Sequence, residues 1–273
     1  MSIFQSILLG VVQGLTEFLP VSSSGHLVVV PYLLGWEFSP QEAFIFDVLV
    51  QVATLMAVIA YFWRDLLAII VALGRGIKNR NLLGEYRSRL AVYILIATLP
   101  AGAIGVLIKE TVEAAFSNPQ TAALLLLVTA GLLVIAERAG KRNKTLEQMD
   151  WKAALWIGFY QALAIFPGIS RSGATIVGGM TRGFQREPAA RFSFLISIPI
   201  MLAAGLLALS DLFQIPNPLA ALAVYFPGFI ASAVVGYLSI HWLLRYLTRH
   251  PLFVFSVYCA LFGTLTLLVS LFR

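Results

Sequence analysis

Charge is scarce in this sequence: only 12% of its 273 residues are Asp, Glu, Lys or Arg, against about 25% in an ordinary soluble domain. A chain so poor in charge cannot present a solvated surface on every side. Cysteine is almost absent. The single Cys259 lies inside an apolar run, which excludes a disulfide-rich secreted domain and reads as inert packing. A signal peptide is lacking too, because the N-terminal MSIFQ has no basic n-region and no A-x-A-like site follows, so the first segment is expected to stay in the mature protein. What is abundant is apolar, with 59% hydrophobic residues and a mean hydropathy of +0.87. Uncharged stretches at 90–108, 119–136, 192–210, 219–240 and 251–272 each match the ~20 residues a helix needs to cross ~30 Å of hydrocarbon. The net charge of +6 does not imply nucleic acid, since the basic residues flank these spans and form no patch interleaved with aromatics. Membrane lipid headgroups are the expected anionic neighbours.

The few basic residues are not evenly spread. The segments 64–89, 138–152, 182–191 and 241–250 hold sixteen of the nineteen Lys and Arg, and such residues accumulate on the cytoplasmic side. The intervening connections carry mostly acids: Glu37 and Glu42, then Glu110 and Glu113 beside Lys109, then Asp211. Six crossings satisfy the alternation, at about 43–63, 90–108, 119–137, 192–210, 219–240 and 251–272, with both termini outside. Two apolar regions remain, 1–35 and 153–181. Each must begin and end on the same side, and each is broken by Pro and a Ser/Gly cluster. They are expected to be helical hairpins that dip into the membrane and return.

A shift of 148 residues superposes Gly10 on Gly158, Gln13 on Gln161, Phe18 on Phe166, Ser22 on Ser170, Ser24 on Ser172 and Gly25 on Gly173. Each half is then a hairpin followed by three crossings, and an odd number of crossings inverts the second half. The expected fold is an all-α polytopic membrane protein in one domain, 1–273. It holds six transmembrane helices and two re-entrant hairpins in an inverted-topology repeat, about 1–137 and 149–273. In such repeats the interrupted helices meet near the midplane and form the site, so residues 17–26 and 170–175 are expected to meet.

Those segments carry the unusual chemistry. A carboxylate such as Glu17 at membrane depth costs roughly 2.5–3.5 kcal/mol even on permissive scales. Singly, Glu17 reads as a helix-end carboxylate and His26 as a hydrogen-bonded structural histidine. With Ser22, Ser23, Ser24 and Gly25 between them, at the point where a new helix starts, hydroxyls and backbone N–H groups can converge on an anion. Close packing through small residues accounts for the Ser and Gly but leaves Glu17 and His26 without a reason. Arg171 is the only basic side chain in either hairpin. It either snorkels or pairs with an anion, Glu17 or a ligand phosphate. Ser23 lies three residues before His26, and a helical turn starting there is expected to place both on one face. Asp47, Gln51 and Thr54 share a face of the first crossing. Asp47 reads as interfacial, and Gln51 as a border of the pocket.

The segments QGLTEFLPVSSSGH and PGISRSGAT resemble the two signature segments of the undecaprenyl pyrophosphate phosphatases, the bacitracin-resistance membrane proteins, and the resemblance runs the length of the chain. It implies hydrolysis of undecaprenyl diphosphate to the monophosphate carrier of cell-wall synthesis in the bacterial plasma (inner) membrane. It also implies a divalent cation, Mg2+ or Ca2+, with Glu17 as a metal ligand. The implied catalytic residues are Glu17, Ser23, His26 and Arg171. Gln13, Ser22, Ser24, Gly25, Ser170, Ser172, Gly173 and Thr175 are implied for substrate binding. The family has Glu or Gln at the first motif position, and here Gln13 leaves one carboxylate fewer near the metal. In the residues' own chemistry Ser23 or a water is the nucleophile and Glu17 or His26 the base. The site is expected to open to the outer side, and a homodimer is left open. Acid phosphatases and phosphatidate-phosphatase relatives also show S-G-H and S-R segments, but the His they carry six residues after the Arg is here Val177. A flippase of polyprenyl phosphate or an anion transporter would suit the same repeat, yet neither requires a nucleophile and base together.

Overall fold

A computed structural model describes residues 1–108, 111, 115, 118–139, 142–212 and 218–272. The described residues form ten α-helices and no strand: α1 Ile3–Phe18, α2 Ser23–Leu34, α3 Pro40–Lys78, α4 Tyr86–Leu107, α5 Pro119–Arg138, α6 Trp151–Leu163, α7 Arg171–Thr181, α8 Arg186–Leu212, α9 Pro218–Leu247 and α10 Phe253–Ser270. Six of them are long and apolar enough to cross a membrane: α3, α4, α5, α8, α9 and α10. The chain is a multi-span helical membrane protein. Lys109, Glu110, Glu113 and the Asp211 side chain, which carry part of the charge alternation, lie outside the described residues.

Local sequence sets the helix starts. Ser2 and Ser39 form capping boxes with Gln5 and Glu42, while Asn118 and Asp150 cap α5 and α6. Each cap satisfies a backbone N–H that has no partner inside its helix. Gly35, at φ +66°, ends α2 in the left-handed conformation that glycine adopts without strain.

The first crossing differs from its expected bounds. The helix does not stop at residue 63. It bends at Phe62 (φ −98°, ψ 15°) and continues to Lys78, so much of the segment expected as a connection is helical. Arg64 and Asp65 interrupt the apolar run, but Leu66–Leu73 resume it, and backbone hydrogen bonding runs through the interruption. Arg75 and Lys78 sit in the last turn, where cations complement the helix dipole.

Packing depends on small residues, because lipid tails are as apolar as side chains and provide no hydrophobic drive between helices. The helices α1 and α9 approach so closely that a Cβ on Gly10 would collide with the Gly228 carbonyl. Gly158 of α6 meets α4 in the same way, against the Ala97 carbonyl and the Pro100 ring. At the basic end, the buried Glu137 carboxylate binds Arg142 Nη1 at 2.7 Å and Arg186 Nε at 2.7 Å, and accepts the Leu252 N–H at 2.9 Å. One anion thereby ties α5, α8 and the start of α10. Phe18, directly after Glu17, packs edge-on against Phe194 with centroids 5.3 Å apart.

Gly10→Val is expected to destabilise by more than about 3 kcal/mol, the upper end of ordinary overpacking, because the obstacle is backbone. Gly131→Ala on α5, where a Cβ meets nothing within 4 Å, is expected to be neutral or to stabilise by up to about 1 kcal/mol. Thermal unfolding in detergent checks both; a wild-type melting temperature for Gly10→Val contradicts the crossing.

Candidate active site

The turns of the two hairpins meet. The Gly168 N–H donates to Ser22 Oγ at 3.1 Å, and Ser172 Oγ donates to the Leu19 carbonyl at 3.0 Å. A Cβ on Gly25 would lie 3.0 Å from Gly168 Cα. Ser22 caps α2 and accepts from the Gly25 N–H at 3.3 Å, while Ser170 caps α7 and accepts from the Gly173 N–H at 3.0 Å. Both helices therefore begin at one place. Their unpaired first N–H groups and positive dipole ends make it favourable for an anion.

A cavity of about 260 Å³ lies between these helix starts, lined among others by Glu17, Ser22, Ser23, Ser24, Ser170 and Arg171. Glu17 organises it. One carboxylate oxygen pairs with Arg171 Nη2, and the other accepts from Ser23 Oγ at 2.5 Å and from Gln13 Nε2 at 3.0 Å. Arg171 Nη1 is buried with no hydrogen-bond partner among the described residues. A guanidinium with one amino group anchored and the other open is set to receive an anionic oxygen.

Not every expected site residue reaches the cavity. Gln13 stands behind Glu17 and supports it. Gly25, Ser172 and Gly173 hold the two turns together. Thr175 faces away, with Oγ1 on the Arg171 carbonyl at 2.8 Å and on Ser193 Oγ at 2.6 Å. The structure does not bring Ser23 and His26 together, although they share the first turn of α2. Ser23 reaches back to Glu17 on α1, whereas His26 folds onto the Ser22 carbonyl (Nδ1 2.7 Å) and meets the Tyr258 hydroxyl (Nε2 2.8 Å). A separation of three residues still leaves roughly 60° around a helix axis, and the side-chain directions widen it. Gln51 lines the cavity, and Asp47 does not. Cys259 is buried, with Sγ 3.8 Å from the Pro20 carbonyl.

Two residues not assigned to the site from the sequence take part in it. Gln161 lines the cavity, and its Nε2 donates to the Ala97 carbonyl at 3.3 Å, which leaves a buried Oε1 unpartnered. Its counterpart under the 148-residue shift, Gln13, bonds a carboxylate four residues on; four residues after Gln161 stands Ile165, so Gln161 has no such partner. Thr129 of α5 donates to the Gly168 carbonyl at 2.8 Å and accepts from the Ser170 N–H at 3.0 Å. A lone threonine in an apolar helix carries no sequence signal for that task.

A larger cavity of about 440 Å³ lies at the basic end, lined by Asp65, Glu187 and Arg191 among others. Its Arg191 is occupied by both carboxylates at 3.5 Å each. The larger cavity also holds hydroxyls, carboxylates and Arg87, but only the smaller one lies where the starts of α2 and α7 meet.

Residues 6–265 match the family model described as bacitracin resistance protein BacA. The chain is 40% identical to the undecaprenyl-diphosphatase of Methanosphaera stadtmanae, over 99% of each chain. It is 42% identical to that of Chlorobium phaeovibrioides, over 98% of this chain and 97% of the relative. The undecaprenyl-diphosphatase of Desulforudis audaxviator is 40% identical over 100% of both chains.

Thr129→Val leaves a buried N–H and a buried carbonyl without their partner, which costs about 1–3 kcal/mol, whereas Thr129→Ser keeps the hydroxyl. Thermal unfolding in detergent is expected to rank wild type and Thr129→Ser together and Thr129→Val clearly below. Equal melting temperatures would contradict the bridging role.

Proposed function

The chain belongs to the bacitracin resistance protein BacA family, and on that premise we propose that it is an undecaprenyl-diphosphatase whose reaction is carried by Glu17, Ser23 and Arg171. The observation that carries the assignment is the divided use of Glu17: one oxygen holds the Ser23 hydroxyl and the other the guanidinium of Arg171, a cavity-lining residue whose second amino group is buried without a partner among the described residues. A lipid diphosphate keeps its tail in the bilayer and offers its charged head to the paired starts of α2 and α7.

Arg171 Nη1 donates to the terminal phosphoryl oxygens, and Ser22, Ser24 and Ser170 supply further hydroxyl donors around them. As phosphate oxygens compete for Arg171, Glu17 is released to take the Ser23 proton. Ser23 Oγ then attacks the terminal phosphorus, and the anhydride P–O bond breaks with undecaprenyl phosphate as the leaving group. Glu17 passes that proton to the departing undecaprenyl phosphate, next takes a proton from the water that attacks the phosphoserine phosphorus, and returns it to Ser23 Oγ as the Ser–O–P bond breaks, releasing inorganic phosphate and restoring Ser23. Transport of a polyprenyl phosphate would need no hydroxyl held 2.5 Å from a carboxylate.

The donor set suits a divalent cation, Mg2+ or Ca2+. Glu17 offers a carboxylate and Gln161 a buried, unpartnered amide oxygen, and Mg2+ typically takes one or two carboxylates with the remainder from substrate phosphates. Glu17 and Gln161 would hold it, and the ion would neutralise charge on the diphosphate when bound.

The proposed placement is the bacterial inner membrane with both termini outside and the site open to the outer face, supported by the gathering of basic residues at the opposite end. At 1.5 Å per residue the helices α1, α2, α6 and α7 span only about 16–24 Å, short of ~30 Å of hydrocarbon, which supports re-entrant hairpins. The matched crossings of α1 on α9 and α6 on α4 support the inverted repeat.

Phosphate release from farnesyl diphosphate by purified protein in detergent, with and without EDTA, tests the reading. Ser23→Ala and Glu17→Gln are each expected to lose at least about 10²-fold in turnover, and Ser22→Ala and Ser24→Ala less. Arg171→Lys keeps the charge but loses the planar fork and is also expected to fall strongly. No release under any cation condition would move the assignment to transport. In intact cells Arg80→Cys is expected to resist a membrane-impermeant thiol reagent; labelling from outside overturns the orientation.

A further inference from the structure

Among the described residues only Ser22 and Arg80 are non-glycine residues with positive φ. Ser22, at φ 70° and ψ 95°, immediately precedes Ser23, so the proposed nucleophile hangs from a strained peptide. Such a conformation persists only where its surroundings over-determine it. Here Ser22 Oγ accepts from the Gly25 and Gly168 N–H groups, and the Ser22 carbonyl accepts from His26 Nδ1 at 2.7 Å. A carbonyl can only accept, so Nδ1 carries the proton. In the neutral ring Nε2 is then an acceptor, and the Tyr258 hydroxyl donates to it at 2.8 Å.

Both ring nitrogens of His26 are thus committed away from the cavity. The ring also stacks on Phe262, centroids 4.5 Å apart and planes within 8°. Tyr258 and Phe262, one helical turn apart on α10, hold the imidazole from the other half of the chain, and neither lines the cavity.

We propose that Tyr258 is a positioning residue of the phosphatase site: its hydroxyl fixes the His26 tautomer, His26 fixes the Ser22 carbonyl, and the strained Ser22 peptide aims Ser23 Oγ at Glu17. His26 acts through Ser22 and does not take the proton of the nucleophile. The inference rests on the phosphatase reading and adds to it the groups that keep the nucleophile in place.

Tyr258→Phe is expected to lower kcat roughly 10- to 10²-fold, the scale of a displacement approaching 1 Å, with KM changed less than about twofold. His26→Asn retains a donor to the Ser22 carbonyl and is expected to recover at least about tenfold of the activity lost in His26→Ala, with both limbs of the pH–rate profile kept. Equal losses in His26→Asn and His26→Ala with one limb gone would make His26 the base and overturn the proposal. A raised KM at constant kcat in Tyr258→Phe, or no change at all, would overturn it too. A second readout does not depend on phosphatase activity: in Ser23→Cys protein, adding Tyr258→Phe is expected to speed alkylation of the thiol by at least about threefold, as it is released from the Glu17 carboxylate. An unchanged rate contradicts the positioning chain. If wild-type protein releases no phosphate, the phosphatase reading fails and the alkylation comparison alone decides this inference.

Discussion

The ion pair between Glu17 and Arg171 is the interaction on which the rest of the structure depends. Either charge alone at this depth would be expensive, and removal of one partner from a buried pair leaves the other uncompensated. Together they can stay, but only if two segments separated by 154 residues in the chain are held face to face. Most of the surrounding architecture serves that requirement. The two turns share the pattern Ser-x-Ser-Gly, in which the first Ser caps a helix by accepting the Gly N–H. The residues that differ, Ser23 in one and Arg171 in the other, are the two that contact Glu17 from across the turns. The repeated positions build the cradle, and the unrepeated ones make the contacts to Glu17.

Holding broken helices inside a membrane protein has a cost, because irregular backbone at that depth needs protein partners in place of water. The partners come from both halves: Ser22 on the Gly168 N–H, Ser172 on the Leu19 carbonyl, and Thr129 on both sides of the second turn. Close helix crossings at Gly10 and Gly158 set the first arm of each hairpin against the opposite half. At the basic end Glu137 gathers two arginines and the start of α10, so the anchoring of α10, which presents Tyr258 to His26, is tied to the same frame.

How much of this was legible in the sequence follows from contrast. A carboxylate, an arginine and a run of serines stand out where everything else is apolar, so Glu17, Ser23 and Arg171 could be read directly, as could the spans and the two interrupted segments. Three features could not. The extension of α3 past Phe62 is hidden by Arg64 and Asp65, which interrupt the apolar pattern and read as the end of a span although the apolar run Leu66–Leu73 follows them. Thr129 and Tyr258 look like ordinary members of apolar helices, since their tasks exist only across the tertiary structure. Sequence spacing suggested a Ser23–His26 pair, whereas the structure sends the two side chains to opposite neighbours. Gln161 was visible as a repeat of Gln13, but its unpartnered oxygen arises from Ile165 standing where the first half has Glu17.

The most direct test of the central claim, that the two hairpins form one phosphate site around the Glu17–Arg171 pair, is a structure with a non-hydrolysable isoprenyl diphosphate bound. The account predicts the terminal phosphate between the starts of α2 and α7, on Arg171 Nη1 and within reach of Ser23 Oγ. A headgroup seated instead in the cavity at the basic end, beside Arg191, with the Glu17–Arg171 cavity left empty, would contradict it.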